Sequence, residues 1–386
     1  MEYLKAKDLP RNPRESANCV SFLCFCWVLP IFFKGRKREL AQDDLYEALP
    51  SHKSSVLGDR LSNAWSNELK KCQQNGKKPS LLRAILNVFG CHIMFTGLIL
   101  ACLEFFLRTT QPIFLGGLIS YYSGTGSTLY HAYGYAAAVV LTSALNVIFS
   151  HPYLLGLLHL GMKIRVAVCS MIYRKALKLS KNALGDTTAG QVVNLISNDV
   201  ARIDMSIMFL HYLWVGPLET VVVSYLMYRE IGVSAFIGVA FLLAFIPLQA
   251  FLGKKTSVLR LKTALRTDER VRMMNEIIQG IQVIKMYAWE KPFGRMVAMS
   301  RKKEVKVIRY VSYIRGILLS FIMFTTRVSI FASLVAYALL GSVVTAEKAF
   351  VITAYYNILR QTMTVFFPQG IGQFVQCKSP AVGISN

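Results

Sequence analysis

Six apolar stretches run through this chain, at about residues 91–122, 133–160, 207–228, 231–252, 311–340 and 350–375. Each reaches the ~20 residues that a helix needs to cross the hydrocarbon core, so six spanning helices are expected, several tilted or extended past the membrane. The links between them alternate in character. Those at 123–132, 229–230 and 341–349 are short, and the first holds no Lys or Arg. By contrast 161–206 carries 7 basic and 3 acidic residues, and 253–310 carries 15 and 5. Basic residues accumulate on the cytosolic side, which places the two long connectors inside the cell and the short links outside.

Neither connector reads as disordered, because apolar positions at three- and four-residue spacing persist through both. Met162, Val166, Cys169, Ile172, Tyr173 and Ala176 make one stripe, and Val271, Met274, Ile277, Ile278, Ile281 and Ile284 make another. Each connector is expected to be two helical extensions of its flanking spans joined by a short crosswise turn. Gly, Asp and Pro break the pattern near Leu184, Gly185 and Asp186 and again over 289–294, which marks the tips. The alternative is a pair of amphipathic helices lying on the membrane surface.

Ahead of the spans, the mixed region 1–87 holds 15 Lys/Arg and 9 Asp/Glu and reads as cytosolic. Its one apolar run, 20–33, is 14 residues long and contains Pro30, too short to span and without a small-residue cleavage site. An interfacial helix on the cytosolic leaflet fits it better.

The composition agrees: 386 residues, 54% of them apolar, with a mean hydropathy of +0.41. These values indicate an all-α polytopic membrane protein. The net charge of +23 would suggest nucleic acid in a soluble protein. Here the loop bias accounts for it, so no nucleic-acid partner is expected. Eight cysteines, none in an outside link, argue against a disulfide framework, and no Cys/His cluster has zinc spacing. Cys24 and Cys26 lie near the membrane, where acylation is chemically open, but burial as small hydrophobes is the expectation.

Ionisable groups at membrane depth cost about 2.5–3.5 kcal/mol each on insertion scales and usually face an interior or a water-filled path. Glu104, Arg108, Glu219, Arg327 and Arg360 are the candidates. Glu104 and Arg108 share a helical face at a spacing of four, so they either neutralise one another or line a ligand site. Arg360 has no acid within a turn and shares an α-helical face with Tyr356 and Thr364, close to Asn357; Arg327 has no local partner, although Glu219 on another helix is a possible one. An excess of cations favours anionic solutes, and Phe209, Trp214, Phe321 and Phe324 are placed to stack an apolar body. Prolines in five spans, Pro112, Pro152, Pro217, Pro247 and Pro368, suggest kinks. No GxxxxGK[ST] phosphate loop is present in the sequence; the nearest string, Gly253-Lys254-Lys255-Thr256, lacks the upstream glycine.

Two segments carry a family likeness: TDERVRMMNEIIQGIQVIKMYAWEKPF from Thr267 and MIYRKALKLSKNALGDTTAGQVVNLISNDVARID from Met171. Both resemble the intracellular loops of ABC exporters of the multidrug-resistance-associated (C) subfamily, nearest its short members. NPRESANCVSFLCFCWVLPIFFKGRKREL from Asn12 resembles that subfamily's lasso and elbow helix, and FLHYLWVGPLE and FFPQGI extend the match. The resemblance implies a lasso, elbow and linker over 1–90, a type-1 ABC transmembrane domain over 91–375, and a divergent tail over 376–386. It also implies export of amphipathic organic anions such as conjugates, cyclic nucleotides, lipid mediators and xenobiotics across the plasma membrane, with the N-terminus cytosolic. In such exporters the connector tips dock ATPase domains, here mapped to 180–188, with Leu184, Gly185 and Asp186, and to 285–294, with Tyr287, Trp289, Glu290 and Phe293. Arg108, Arg315, Arg327 and Arg360 fall at cavity-cation positions. ATP and Mg²⁺ belong to the complete transporter, with no cofactor expected on this chain; the partners implied are membrane lipid, two ATPase domains and a second membrane domain. The closing QCKSPAVGISN departs from the family, so a product truncated before its first ATPase domain is expected. An anion channel and a non-transporting regulatory half remain competing readings.

Overall fold

The computed structural model describes residues 9–76, 78–124, 128–178 and 189–374, and these contain helices and no strand. In chain order they are α1 (Cys19–Leu23), α2 (Leu29–Lys37), α3 (Ser54–Asn75), α4 (Leu81–Cys102), α5 (Gln111–Tyr122), α6 (Leu129–Lys178), α7 (Ala189–Asn194), α8 (Ala201–Leu210), α9 (Tyr212–Ile231), α10 (Ser234–Gln279), α11 (Ile281–Met286), α12 (Glu290–Leu339) and α13 (Ala346–Leu359). Three π-helical segments interrupt them, at Leu103–Arg108, Leu195–Asp199 and Arg360–Phe366.

Five helical runs are long and apolar enough to cross a membrane: Leu81–Tyr122, Leu129–Lys178, Leu195–Ile231, Ser234–Gln279 and Glu290–Leu339. The sixth expected span is helical from Ala346 through residue 374 but is not among the five, because Asn357, Arg360 and Gln361 lower its hydropathy. The α6 and α12 helices have 50 residues each. At 1.5 Å per residue such a helix is about 75 Å long, against about 30 Å of hydrocarbon. Each span therefore continues unbroken into its connector, as expected, and the surface-helix alternative does not hold for α6, α10 and α12. Pro152, Pro217 and Pro247 lie within continuous helices, while Pro112 opens α5.

The chain divides into two compact units, Met1–Val223 with Gln369–Asn386, and Ser224–Pro368. In the first, Leu57, Leu61 and Ala64 of α3 pack with Leu160, Ile164, Ala167, Val168 and Ile172 of α6 and with Ile207 of α8. Close approach is possible because Gly58 faces Ser170 and Gly161 faces the Asp204 backbone. Ion pairs Arg174–Asp59 (2.5 Å) and Arg165–Asp204 (3.1 Å) border this core. The buried face of α6 is rotated from the expected stripe: Tyr173 is exposed, and Ala167 and Val168 are buried instead. The apolar run 20–33 is two short helices, with Phe25 at φ 57° between them and Pro30 in the first turn of α2. Cys24 and Cys26 are exposed, contrary to the burial expected, because the short helices around them pack too little surface to cover them; Cys19 is exposed as well.

In the second unit α10 and α12 form an antiparallel pair. Gly238 lets α10 approach the Ser329 carbonyl, the Ser333 hydroxyl and the Tyr356 hydroxyl. Tyr356 is fully buried; it accepts from Ser333 (2.5 Å) and donates to the Ala235 carbonyl (3.1 Å). Small residues and interhelical hydrogen bonds of this kind hold membrane helices together where lipid removes the hydrophobic drive.

Candidate functional site

Where α10 and α12 extend into the second connector they are joined by one carboxylate. Glu304, almost fully buried, accepts from Thr267 (2.7 Å), Arg270 (2.9 Å) and Arg301 (2.6 Å). These hydrogen bonds, Thr267 first and then Arg301, hold its carboxyl down at about 2.

Beyond this clamp the connector turns. Gly280 ends α10, α11 follows for six residues, and the chain turns at Tyr287, Ala288 and Trp289 before α12, with Ala288 at φ 50°. The tip therefore falls earlier than the Gly and Pro signals suggest, since Pro292 and Gly294 lie inside α12. Proline is accommodated in a first helical turn, where no carbonyl one turn back is available to clash. Tyr287 and Trp289 stack with ring centres 5.1 Å apart. Glu290 pairs with Lys285 at 3.0 Å, and Phe293 is half-buried. Met286 is 81% and Tyr287 65% exposed, so the tip presents apolar surface. Leu184, Gly185 and Asp186 lie outside the described residues.

Two of the π segments each bear one of the arginines of the apolar stretches, Arg108 and Arg360. In the first unit, the Thr109 amide bonds to the Glu104 carbonyl at 3.1 Å, the five-residue step of a π turn. The Thr109 and Thr110 hydroxyls bond back to the Phe105 and Phe106 carbonyls. Arg108 grips Glu104 at 3.1 and 2.9 Å, and Tyr212 donates to the same carboxylate at 3.4 Å. Glu219, fully buried, adds its charge to the surroundings of Arg108. The structure thus pairs Glu104 with Arg108.

Nearby sequence reasoning missed His211. It is buried 3.1 Å from the Thr96 hydroxyl, accepts from the Trp214 indole at 3.4 Å, and fits because Gly97 has no side chain. Trp214 is thereby oriented while remaining 42% exposed; Phe209 is half-buried. The only sequence signal was a histidine inside an apolar run.

In the second unit, Arg360 opens its π segment, is half-buried and contacts Met323 Sδ at 3.0 Å. The expected polar face is not exposed as one stripe: Tyr356 and Thr364 are buried and Asn357 is exposed. Arg315 and Arg327 are exposed on α12. Among the described residues none of these three arginines forms an ion pair. Tyr313, Gly316, Ile317, Ser320, Phe321 and Phe324 line one open groove on α12. Phe321 packs on Phe245 at 5.6 Å, which leaves Phe324 the more exposed of the pair.

Residues 94–363 match the ABC transporter transmembrane region. The chain is 51% identical over 372 residues to the probable multidrug resistance-associated protein lethal(2)03659 of Drosophila melanogaster, covering 96% of this chain and 27% of that relative. It is 42% identical to ATP-binding cassette sub-family C member 4 of Mus musculus, over 94% of this chain and 28% of the relative. The Homo sapiens protein of that name is 42% identical over 95% and 28%. The chain thus spans little more than a quarter of the length of these curated relatives. It is a multi-pass membrane protein, and it belongs to the ABC transporter transmembrane region family, in the branch shared with the multidrug-resistance-associated sub-family C proteins.

Proposed function

We propose that this chain is the membrane half of an ATP-driven exporter of amphipathic organic anions, resident in the plasma membrane with its N-terminus in the cytosol. The observation that carries this reading is Arg360, half-buried at membrane depth with no carboxylate among the described residues paired to it. A lone cation there costs free energy in the resting protein and is repaid when an anion binds. Arg315 and Arg327 add positive potential in the same unit, and Phe321 and Phe324 offer faces for an apolar body. In the other unit Arg108, Phe209 and Trp214 supply the same chemistry, with Arg108 held ready by Glu104.

ATPase domains with ATP and Mg²⁺, together with a second membrane domain, are the partners this reading requires. The second tip would dock one ATPase domain through Tyr287, Trp289, Glu290 and Phe293, and residues around Leu184, Gly185 and Asp186 would serve the other contact. Arg360 is tested by placing this chain in the corresponding segment of human sub-family C member 4 and measuring ATP-dependent uptake of a glutathione conjugate into inside-out vesicles. Arg360→Ala is expected to lower uptake by roughly tenfold, the loss of one charge-assisted contact. Uptake equal to the parent chimera would sink the assignment.

A further inference from the structure

A second cationic site lies away from those arginines, in the first unit. Arg14 from the N-terminal segment, His52 from the turn before α3, His92 from α4, and His159 and Lys163 from α6 line one cavity of about 320 Å³. Among the described residues the lining contains no carboxylate. Arg14 is fixed by contacts that leave its charge uncompensated: it donates to His159 Nδ1, and its guanidinium lies 5.5 Å from the Phe22 ring centre and 5.9 Å from that of Trp27. His52 and His159 stack with ring centres 5.3 Å apart. Burial, followed by the charges of Lys163 and Arg14, presses His52 toward its neutral form.

Arg14 and Lys163, from elements distant in sequence, thus bring two positive charges beside three imidazoles to a concavity with no acid in its wall among the described residues, and the two charges repel one another. An anion relieves that repulsion. The cavity adjoins the stretch of α6 from His159 to Lys163, where the apolar run gives way to basic residues as expected at the level of lipid headgroups, and Phe95, 63% exposed, forms part of its wall. We propose that this cavity binds a phosphomonoester dianion, whose two charges match Arg14 and Lys163 and whose oxygens accept from the imidazoles. Such a group is carried by an anionic phospholipid headgroup or by a soluble phosphate.

The full chain is purified in detergent and phosphatidic acid and phosphatidylcholine are titrated separately, with bound lipid counted by native mass spectrometry. In a parallel arm inorganic phosphate is added and the thermal transition followed. Selective retention of phosphatidic acid, weakened roughly fivefold by Arg14→Gln and by Lys163→Gln but not by Lys178→Gln, supports the site with lipid as its source. A phosphate-induced stabilisation lost in the same two variants, without lipid selectivity, supports it with a soluble source. No selectivity and no phosphate effect, or undiminished binding in both variants, overturns it.

Discussion

Gly238 is the position where α10 comes closest to its neighbours, and adding one methyl group there tests the packing of the second unit. A Cβ at Gly238 would lie 2.6 Å from the Ser329 carbonyl oxygen and against the Ser333 and Tyr356 hydroxyls. None of these yields cheaply, because the carbonyl is helix backbone and Tyr356 is tied to Ala235 and Ser333. Overpacking of this kind costs about 1–3 kcal/mol, and an interhelical hydrogen bond lost in a membrane costs about 0.6–1.7 kcal/mol. Gly238→Ala should therefore destabilise the unit by about 2–4 kcal/mol. The assay is reversible unfolding of the purified chain by SDS titration, followed by tyrosine and tryptophan fluorescence. Tyr356→Phe alone should cost about 0.6–1.7 kcal/mol. Because it removes one of the atoms that the new methyl meets, the double variant should be more stable than the sum of the singles by about 1 kcal/mol. Additive effects, or a Gly238→Ala protein as stable as the parent, would refute the contact.

Other consequences follow from the parts outside the expected spans. The carboxyl of Glu304 sits at about 2, below the usual carboxylate range, so its stabilisation is complete above that range and is lost as pH falls through about 2. Amides of the α10 and α12 extensions should lose hydrogen-exchange protection on that descent, and Glu304→Gln should reproduce the loss at neutral pH; a variant as protected as the parent contradicts the clamp. Cys72 is buried, and desolvation together with Glu68 raises its thiol, whereas Cys19, Cys24 and Cys26 are exposed. Maleimide should thus modify the three N-terminal cysteines well before Cys72, as read by peptide mass spectrometry, and equal rates would contradict the packing of α3.

Much of the architecture was written in local pattern. Apolar runs of spanning length gave the helices, and continued three- and four-residue spacing gave their extensions past the bilayer. The Glu104–Arg108 pair was legible because a spacing of four survives in a helix end. What escaped depends on register or on distant contacts. The π segment that begins at Arg360 moves every following side chain, so the place of Thr364 relative to Arg360 could not be read from an α-helical period. His211 and Tyr356 acquire meaning only when Gly97 and Gly238 bring other helices against them, and nothing local announces such a neighbour. The second tip was displaced because proline reads as a breaker in sequence but is at home in the first turn of α12.

In the proposed exporter the second tip would be the point where an ATPase domain drives the membrane domain. In the chimera with human sub-family C member 4, Tyr287→Ala together with Trp289→Ala removes the stacked, exposed surface without touching the Glu304 clamp. ATP-dependent uptake of a glutathione conjugate into inside-out vesicles should collapse while the protein remains in the membrane at parental abundance. Uptake at the parental rate would contradict the claim that this tip couples to an ATPase domain.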